Sequence, residues 1–429
     1  MPVTVTRPLT VAVVAATLLA LAPPAASRAG TAHAAAARAT TTGRPSGPCA
    51  LRTRTRGVSE GSRTPRGFAP SSGTVRAVTF FVDFPDARAR LSPRQRYAEF
   101  FPAVADYYRT SSYGRLDYRS TPVLRWIHMA RPYRSYGITR GTAFDPHRDD
   151  GYHAITREIL AATGRSVDFR HYDLINVLAA PNAGPPATRD VRSVTFAGAP
   201  TGLRTHDGAH VKNVTFIWSR QTGDSPYRVL THENAHSFGL PDLYYAAGGG
   251  GTRAPVGHWD PMAEDWGPSN DFLAWHKWKL GWLAPAQVHC LTRPGTRTVV
   301  LSPTSERGGP KLAVVPLSRT HALTLEARAP GRLDHAVCRP GVLITTVATH
   351  LPSGAGPVRA ADATPGSPGC YTHDPNVSAP LSDAPYRAGQ HYRVAGVTVT
   401  VLGQDARGNW HVTVTRRAAG APGLSHLPA

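Results

Sequence analysis

The sequence predicts a mixed α/β domain at residues 74–284 and an all-β domain, a sandwich, at residues 285–429. The chain of 429 residues is long enough for two or three domains. In the first part, β-branched and aromatic runs alternate with helical patterns, which is typical of a mixed α/β domain. In the second part, short strand-like runs recur between turn-forming residues, and no strong helical pattern is found.

The elements of the α/β part are predicted in chain order. The first strand is expected at 75–82, because Val, Thr and Phe dominate that run. The other predicted elements are short apolar runs and helical patterns, namely strands at 116–118, 172–178 and 213–218 and helices at 93–108, 152–162 and 227–238. Asp149 or Asp150 is positioned to cap the second helix.

Six strand-like runs are expected in the second part, and they lie at 298–301, 311–315, 322–326, 342–347, 397–402 and 410–415. Glycine, proline and small polar residues separate these runs, which is typical of turns between antiparallel strands. No clear tandem repeat is present. We expect the closing residues, 418–429, to be frayed.

The N-terminal segment is typical of a secretory signal. Arg7 supplies positive charge, residues 9–22 form a short apolar run, and small residues follow at 27–34. The alternative is an uncleaved membrane anchor, but the run is short for a membrane span, and no later segment is long and apolar enough. We therefore expect a secreted, extracellular protein without a permanent membrane anchor, in which residues 1–34 are the signal peptide and residues 35–73 a flexible N-terminal or pro-segment.

The His-Glu-Asn-Ala-His segment at 232–236 carries the clearest chemical signal. Two histidines four apart on a helix share one face, with Cβ atoms about 5–6 Å apart, so both can bind one Zn²⁺. Glu233 follows the first histidine and can act as general base toward a water that the metal activates. The sequence therefore predicts a zinc hydrolase site on a helix that Ser225 would cap and Pro226 would begin.

The residues after the second histidine extend this motif. Gly239 can adopt positive φ and end the helix, so that the chain turns and Asp242 can return to the metal. His232, His236 and Asp242 would then leave a fourth tetrahedral position for water, as a catalytic zinc requires. The alternative is an ordinary helix that contains two histidines by chance, but the longer pattern with glycine and aspartate in step is more specific.

The four cysteines fit an exported chain with two disulfides, and they are Cys49, Cys290, Cys338 and Cys370. Three pairings are possible, and the sequence alone does not choose among them. We favour Cys338 with Cys370, which lie in the same C-terminal region, and then Cys49 with Cys290. The alternative is a Cys49 thiolate that blocks the zinc before activation, but two disulfides account for all four cysteines.

The formal net charge of +20 comes almost wholly from arginine, since lysine occurs only at 212, 277, 279 and 311. The arginines are scattered, and no zinc finger, RNA-binding motif or basic helix is present. We therefore expect no specific nucleic-acid partner and interpret the charge as a compositional bias toward arginine. Attraction to an anionic wall polymer or to acidic substrates is the alternative.

A structural Ca²⁺ is a further candidate cofactor, because hard cations bind several carboxylate and carbonyl oxygens. Asp145, Asp149 and Asp150 form one acidic group, and Asp83 and Asp86 form another. Their spacing does not match an EF-hand loop, and helix capping explains Asp149 or Asp150 without a metal.

The string HENAHSFGLPD, followed by WDPM at 259–262, resembles metzincin-type zinc peptidases and most of all the immune inhibitor A family of secreted bacterial metallopeptidases. FVDFPD at 81–86, DYYRTSSYG at 106–114 and LAWHKWKLGW at 273–282 are similar to other parts of that family, so the resemblance covers about 75–284. It implies a metzincin-like catalytic domain in which Met262 forms a supporting turn beneath the metal by packing, without binding zinc.

The chain departs from the family at two places. Tyr245 stands where the family usually has an acidic residue, and Glu264 and Asp265 follow Met262 where small residues are usual. Glu264 is therefore a rival third ligand, as in thermolysin-like peptidases, although the glycine-turn-aspartate pattern favours Asp242. Tyr244 and Tyr245 are candidates for stabilising the oxyanion by their proximity in sequence.

Together these features predict a monomeric zinc endopeptidase that hydrolyses protein or peptide substrates with Glu233 as general base. One rival is a secreted non-catalytic protein with a retained zinc site. The presence of His232, Glu233 and His236 argues against it. The other rival is an adhesion or wall-binding protein whose β domain carries the function.

Overall fold

The computed structural model describes residues 45–53, 55, 57–139, 141–183, 193–198, 201–218, 227–246, 255–264, 271–335, 337–371 and 379–418. The predicted signal peptide at 1–34, the helix start at Ser225 and Pro226, the residue Asp265 and the chain end at 419–429 lie outside these residues. No helix among the described residues has the length and apolarity needed to cross a membrane.

The first sheet is mixed and contains five strands in the order β2-β1-β3-β5-β4. The strands are β1 (Gly73–Asp83), β2 (Leu116–His128), β3 (Leu174–Ala179), β4 (Val194–Phe196) and β5 (Val214–Ile217). All neighbouring pairs are parallel except β4 and β5, which are antiparallel. The short strand β4 therefore lies at one edge of the sheet and runs against the others.

Helices cover both faces of this sheet. They are α1 (Pro93–Ala98), α2 (Ala103–Ser111), α3 (Gly151–Thr163), α4 (Tyr227–Ser237) and α5 (Ala274–Lys279). Alternate side chains of β1 enter two different cores, with Ala77 and Phe81 on one side and Val78 and Phe80 on the other. Residues of α2, α4 and α5 belong to the first core, and residues of α3 belong to the second.

Short 3₁₀ helices lie between these elements and in the second part, at Tyr133–Tyr136, Phe169–His171, Gly257–Trp259, Pro285–Gln287 and Ala379–Leu381. The helix predicted at 93–108 is two helices, because Pro102 occupies the N-cap of α2 and cannot donate a backbone hydrogen bond to α1. Asp150 occupies the N-cap of α3, but its side chain makes no capping bond. It pairs with Arg148 instead, at 2.6 Å.

The second part contains two further sheets. Their strands are β6 (Val288–Cys290), β7 (Gly295–Leu301), β8 (Leu312–Pro316), β9 (His321–Arg328), β10 (Gly341–Ala348), β11 (Val358–Ala361), β12 (His391–Val394), β13 (Val397–Gln404) and β14 (Trp410–Arg416). One sheet has the order β11-β10-β9-β8-β6 and the other β12-β13-β14-β7. All six strands predicted for this part are present, whereas β6, β11 and β12 were not predicted.

The two sheets of the second part share a core. Val315 and Ile344 from one sheet join Val299, Val399 and Val412 from the other in one buried apolar cluster. The second part also packs against the first, since Val314 and Leu343 belong to the same core as α2, α4 and α5. The structure is therefore mixed α/β with several sheets, and side chains on both sides of the predicted 284/285 boundary form a common core.

The described part of the segment predicted to be flexible is packed instead. Glu60 is fully buried, and Trp282 donates a hydrogen bond to the carbonyl of Ser71 at 2.6 Å. The backbone N–H of Ala69 donates to the carbonyl of Ser237 at the end of α4, at 2.8 Å. Leu51 and Ala69 also belong to the first core, so hydrogen bonds, buried charge and apolar contacts all hold the segment.

Two disulfides are formed, and they join Cys49 to Cys290 and Cys338 to Cys370. This pairing is the one that we favoured. The alternative of a Cys49 thiolate bound to zinc is wrong, because Cys49 is committed to a disulfide. The first disulfide also ties the N-terminal segment to β6 in the second part.

Candidate metal centre

The helix α4 carries His232 and His236, and Asp242 follows five residues after the helix ends; all three side chains are largely buried. The exposed fractions of the side chains of His232, His236 and Asp242 are 6%, 12% and 19%. The site is therefore shielded by protein but retains an opening to solvent on the side of His236 and Asp242.

Three side chains converge at the end of α4. One ligand-type atom from each of His232, His236 and Asp242 lies within 4.8 Å of the others. Oδ1 of Asp242 is 3.2 Å from Nε2 of His232 and 3.3 Å from Nε2 of His236. Tetrahedral ligands placed about 2.0–2.1 Å from a zinc ion are separated by about 3.3 Å, so the two measured distances match such a cage.

Backbone carbonyls fix the orientation of both imidazole rings. Nδ1 of His232 lies 2.8 Å from the carbonyl oxygen of Pro261, and Nδ1 of His236 lies 2.7 Å from that of Leu240. Since a carbonyl only accepts, each Nδ1 carries a proton, and Nε2 is the ring nitrogen that faces Asp242 and can offer its lone pair to a metal when the ring is neutral. This is the usual arrangement of metal-binding histidines.

Asp242 supplies an oxygen that has no well-formed hydrogen bond. Its Oδ2 accepts a hydrogen bond from the hydroxyl of Ser353 at 2.8 Å. Its buried Oδ1 accepts no hydrogen bond of acceptable geometry, although two ring nitrogens face it. A buried carboxylate oxygen without a donor is costly, and a cation between the three side chains would satisfy it. The residues present therefore fit a bound divalent metal.

Asp242 and His236 shift each other's pKa values in opposite directions. Burial raises the pKa of Asp242, but His236 and His232 outweigh it and hold this pKa well below its usual range. Burial lowers the pKa of His236, but Asp242 more than offsets this, so that pKa is raised. The carboxylate thus stays ionised, which is the form that binds a metal.

Glu233 lies beside the triad and has its own partner. The hydroxyl of Thr195, on β4, donates to Oε2 of Glu233 at 2.9 Å and lies 2.8 Å from its backbone carbonyl. Burial raises the pKa of Glu233, and the lowering effects of His232, His236 and Thr195 do not cancel this rise. Thr195 was not predicted, because a strand of only three residues gives little signal in the sequence.

The turn that contains Met262 is adjacent to the site, because the carbonyl of the neighbouring Pro261 contacts His232. Met262 is fully buried, and its carbonyl oxygen accepts from the N–H of Leu243 at 2.9 Å. Oδ1 of Asp260 accepts from the N–H of Met262 at 2.8 Å and so holds the turn that carries the Pro261 carbonyl to His232. The packing role expected for Met262 beneath the metal stays a prediction.

A buried charged cluster stands behind this turn. Nδ1 of His276 lies 2.7 Å from Oδ2 of Asp260, and its Nε2 lies 2.8 Å from Oε1 of Glu60. Burial lowers the pKa of His276, but Asp260 and Glu60 reverse this and raise it to about 10. The cationic imidazole of His276 therefore connects Glu60 of the N-terminal segment with Asp260 of the turn that contacts His232.

The other candidate site residues are not part of the triad. Glu264 is buried but does not belong to the His232–His236–Asp242 group. The ring of Tyr244 stacks on that of His232 with centroids 6.4 Å apart, whereas Tyr245 pairs through its backbone with Ala355. Neither contact assigns an oxyanion role.

The acidic residues considered for calcium are not brought together as a metal site in the described part of the chain. Asp149 pairs with Arg157 at 2.6 Å, and Asp83 pairs with Arg88 at 2.8 Å. Oδ1 of Asp86 accepts from the N–H of Tyr133 at 2.8 Å, and Oδ1 of Asp145 from that of His147 at 2.9 Å. In the described residues these carboxylates therefore have arginine or backbone partners.

Asn234 anchors α4 to the sheet and was not predicted as a site residue. Its Oδ1 accepts from the hydroxyl of Tyr118 at 2.6 Å, and its Nδ2 donates to Asn176 at 2.9 Å and to Thr215 at 3.1 Å. These partners lie on β2, β3 and β5. The side chain of Asn234, which lies between His232 and His236 in the sequence, therefore sets the distance between α4 and the sheet.

Replacing Asn234 by alanine is expected to lower the free energy of unfolding by about 1–3 kcal/mol, because buried partners on three strands lose their hydrogen bonds. Urea denaturation would measure this. Asn182→Ala is the control, since Asn182 donates one hydrogen bond near the surface, to the carbonyl of Arg88, and its loss should cost about 0.5 kcal/mol or less. Equal losses in both variants would contradict the anchoring role.

Comparison with known proteins adds no assignment. No protein-family model matches the sequence, and a search of curated proteins finds no match.

Proposed function

We propose that this protein is a secreted zinc endopeptidase of metzincin type, related in its catalytic part to the immune inhibitor A family. The observation that carries the proposal is the geometry of the triad, in which Oδ1 of Asp242 lies 3.2 and 3.3 Å from the two histidine Nε2 atoms. These distances suit a tetrahedral ion that leaves its fourth position open. Glu233, in the middle of the motif, is the only acidic residue between the two histidines.

Each residue has a defined task in this proposal. His232, His236 and Asp242 would hold the zinc, which when bound polarises the scissile carbonyl and lowers the pKa of water. Glu233 accepts a proton from the attacking water and then donates it to the leaving nitrogen. Thr195 holds one oxygen of Glu233 at 2.9 Å, which limits the directions that the carboxylate can face.

The sheet edge offers a place for an extended peptide. In the sheet as the structure describes it, β4 is one of the two edge strands, and Thr195 of that strand contacts Glu233. A peptide that pairs with β4 would therefore pass beside the general base, aligned by backbone hydrogen bonds rather than by particular side chains. The proposed substrates are accordingly proteins or peptides that can present an extended segment.

The secreted location and the domain types belong to the same proposal. Two disulfides are typical of proteins from oxidising compartments, and the residues at 1–34 have the pattern of a cleaved signal. We further propose that the two sheets of the second part form a sandwich, since their facing side chains share one core. The monomeric state expected from the sequence belongs to the same proposal.

The test uses the purified mature protein with casein as an unstructured substrate. We expect about one zinc per chain, as one closed set of three ligands implies, with cleavage that chelation abolishes and added zinc restores. Zinc content is measured by atomic emission and cleavage by release of soluble peptides. Cleavage that survives complete removal of metal would refute the proposal. Stoichiometric zinc without cleavage of any unstructured protein would favour the non-catalytic alternative.

A further inference from the structure

We propose that Ser353 is a positioning residue for the metal ligand Asp242, so that the second part of the chain supplies a component of the metal centre. This inference rests on the proposed zinc site. It assigns to the β-rich part a role in building that site, instead of a separate role in substrate docking or wall binding.

The contact between the two residues is reciprocal. The hydroxyl of Ser353 donates to Oδ2 of Asp242 at 2.8 Å, and its oxygen accepts from the backbone N–H of Asp242 at 2.9 Å. One hydroxyl can do both, because it carries one proton and two lone pairs. Ser353 therefore fixes the carboxylate relative to its own backbone and leaves Oδ1 as the oxygen that faces the histidines.

The backbone of the same loop is clamped to the residues around Asp242. The N–H of Gly354 donates to the carbonyl of Asp242 at 3.1 Å, and that of Ala246 donates to the carbonyl of Gly354 at 2.8 Å. Gly354 has a φ of 74°, and a Cβ at this position would lie 2.7 Å from Cβ of Ala246. Glycine thus permits both the turn and the close approach.

The loop is also held from its other side. Pro352 forms an isolated β-bridge with Ser59, and the hydroxyl of Thr55 donates to the carbonyl of His350 at 2.8 Å. The hydroxyl of Thr349 donates to the carbonyl of Arg52 at 3.1 Å. Ser353 is therefore carried by a loop with fixed ends, which a positioning residue requires.

The effect on metal binding follows from the two oxygens of the carboxylate. Without a donor at Oδ2, the side chain of Asp242 can rotate. Either of its oxygens can then face the histidines while the other faces solvent. Part of the binding free energy is then spent on ordering the ligand. Loss of such an outer partner typically weakens metal binding by about 10–100-fold.

The test compares Ser353→Ala, Ser353→Thr and wild type by zinc competition against a chromophoric chelator. We expect Ser353→Ala to bind zinc about 10–100-fold more weakly and Ser353→Thr, which keeps the hydroxyl, to bind as wild type does. The Co²⁺-loaded forms provide a second measurement, because altered carboxylate orientation changes the visible d–d bands. The alanine variant should differ from wild type in these bands, and the threonine variant should not.

Ser318→Ala is the matched control. Its hydroxyl oxygen also accepts from backbone N–H groups, those of Thr320 and His321, but on an exposed turn that has no part in the metal site. We expect it to bind zinc as wild type does. Zinc binding by wild type together with unchanged affinity and Co²⁺ spectrum in Ser353→Ala would overturn this inference alone. Failure of wild type to bind zinc would overturn both this inference and the proposed function.

Discussion

Replacing Glu233 by glutamine is expected to lower kcat by about 10²–10⁴-fold while zinc remains bound, because the amide cannot accept a proton. Glutamine keeps the size of the side chain and can still accept the hydrogen bond that Thr195 donates at 2.9 Å. The three proposed ligands are unchanged. The loss should therefore appear in turnover on a peptide substrate, with zinc content and the thermal unfolding midpoint close to those of wild type.

His236→Ala is the companion variant, and it should lose zinc and cleavage together. The pair separates two roles that lie within one helical turn, since one variant removes the base and the other removes a ligand. Near-full hydrolysis by Glu233→Gln would show that another group accepts the proton. Full zinc occupancy in His236→Ala would show that the metal binds elsewhere.

Replacing His276 by glutamine is expected to lower the free energy of unfolding by about 3–5 kcal/mol near neutral pH, because it removes the cation between two buried carboxylates. Asp260 and Glu60 lie 2.7 and 2.8 Å from the two ring nitrogens, and all three side chains are fully buried. Glutamine can donate one hydrogen bond but cannot supply the charge. Equilibrium denaturation in urea would measure the loss.

The loss should depend on pH. The pKa of His276 is raised from 6.5 to about 10, so its stabilisation is complete below pH 6.5 and disappears as pH rises toward 10. Lys279 also faces Glu60, and burial lowers its pKa to about 8, which gives the opposite dependence on pH. Because Lys279 is present in both proteins, the difference between wild type and His276→Gln isolates His276.

We therefore expect the stability gap between wild type and His276→Gln to be larger at pH 6 than at pH 10. His411→Gln is the control, since His411 pairs with Asp405 at 3.3 Å near the surface and should contribute little. A gap that stays constant from pH 6 to pH 10 would mean that His276 is neutral in the folded protein.

Local patterns in the sequence predicted the elements that bury apolar faces. The strand at 75–82, the helix at 227–238 and the strand at 342–347 all occur, because β-branched and aromatic residues dominate the two strands and the helix ends just before the Gly239 turn. The histidines and Asp242 could be assigned together because all three lie within eleven residues of sequence. Their spacing alone constrains their geometry once the helix and the Gly239 turn are assumed.

Other parts of the site could not be predicted because their partners are distant in sequence. Ser353 is 111 residues from Asp242, and Glu60 is 216 residues from His276. Neither serine nor glutamate is unusual in its own segment. Residues 45–73 have the composition of a linker, and only the tertiary structure shows that Glu60 meets a histidine and that Ser59 meets Pro352.

The reach of the Ser353 loop has a consequence for the order of folding. The residues that would bind zinc are synthesised well before Ser353, and the disulfide partner of Cys49 is 241 residues further along the chain. A nascent chain that ends near Asp242 has the helix and both histidines but lacks the loop that orients the aspartate. Contacts of such long sequence separation form late. The proposed zinc site would therefore be complete only after the loop that carries Ser353 has folded.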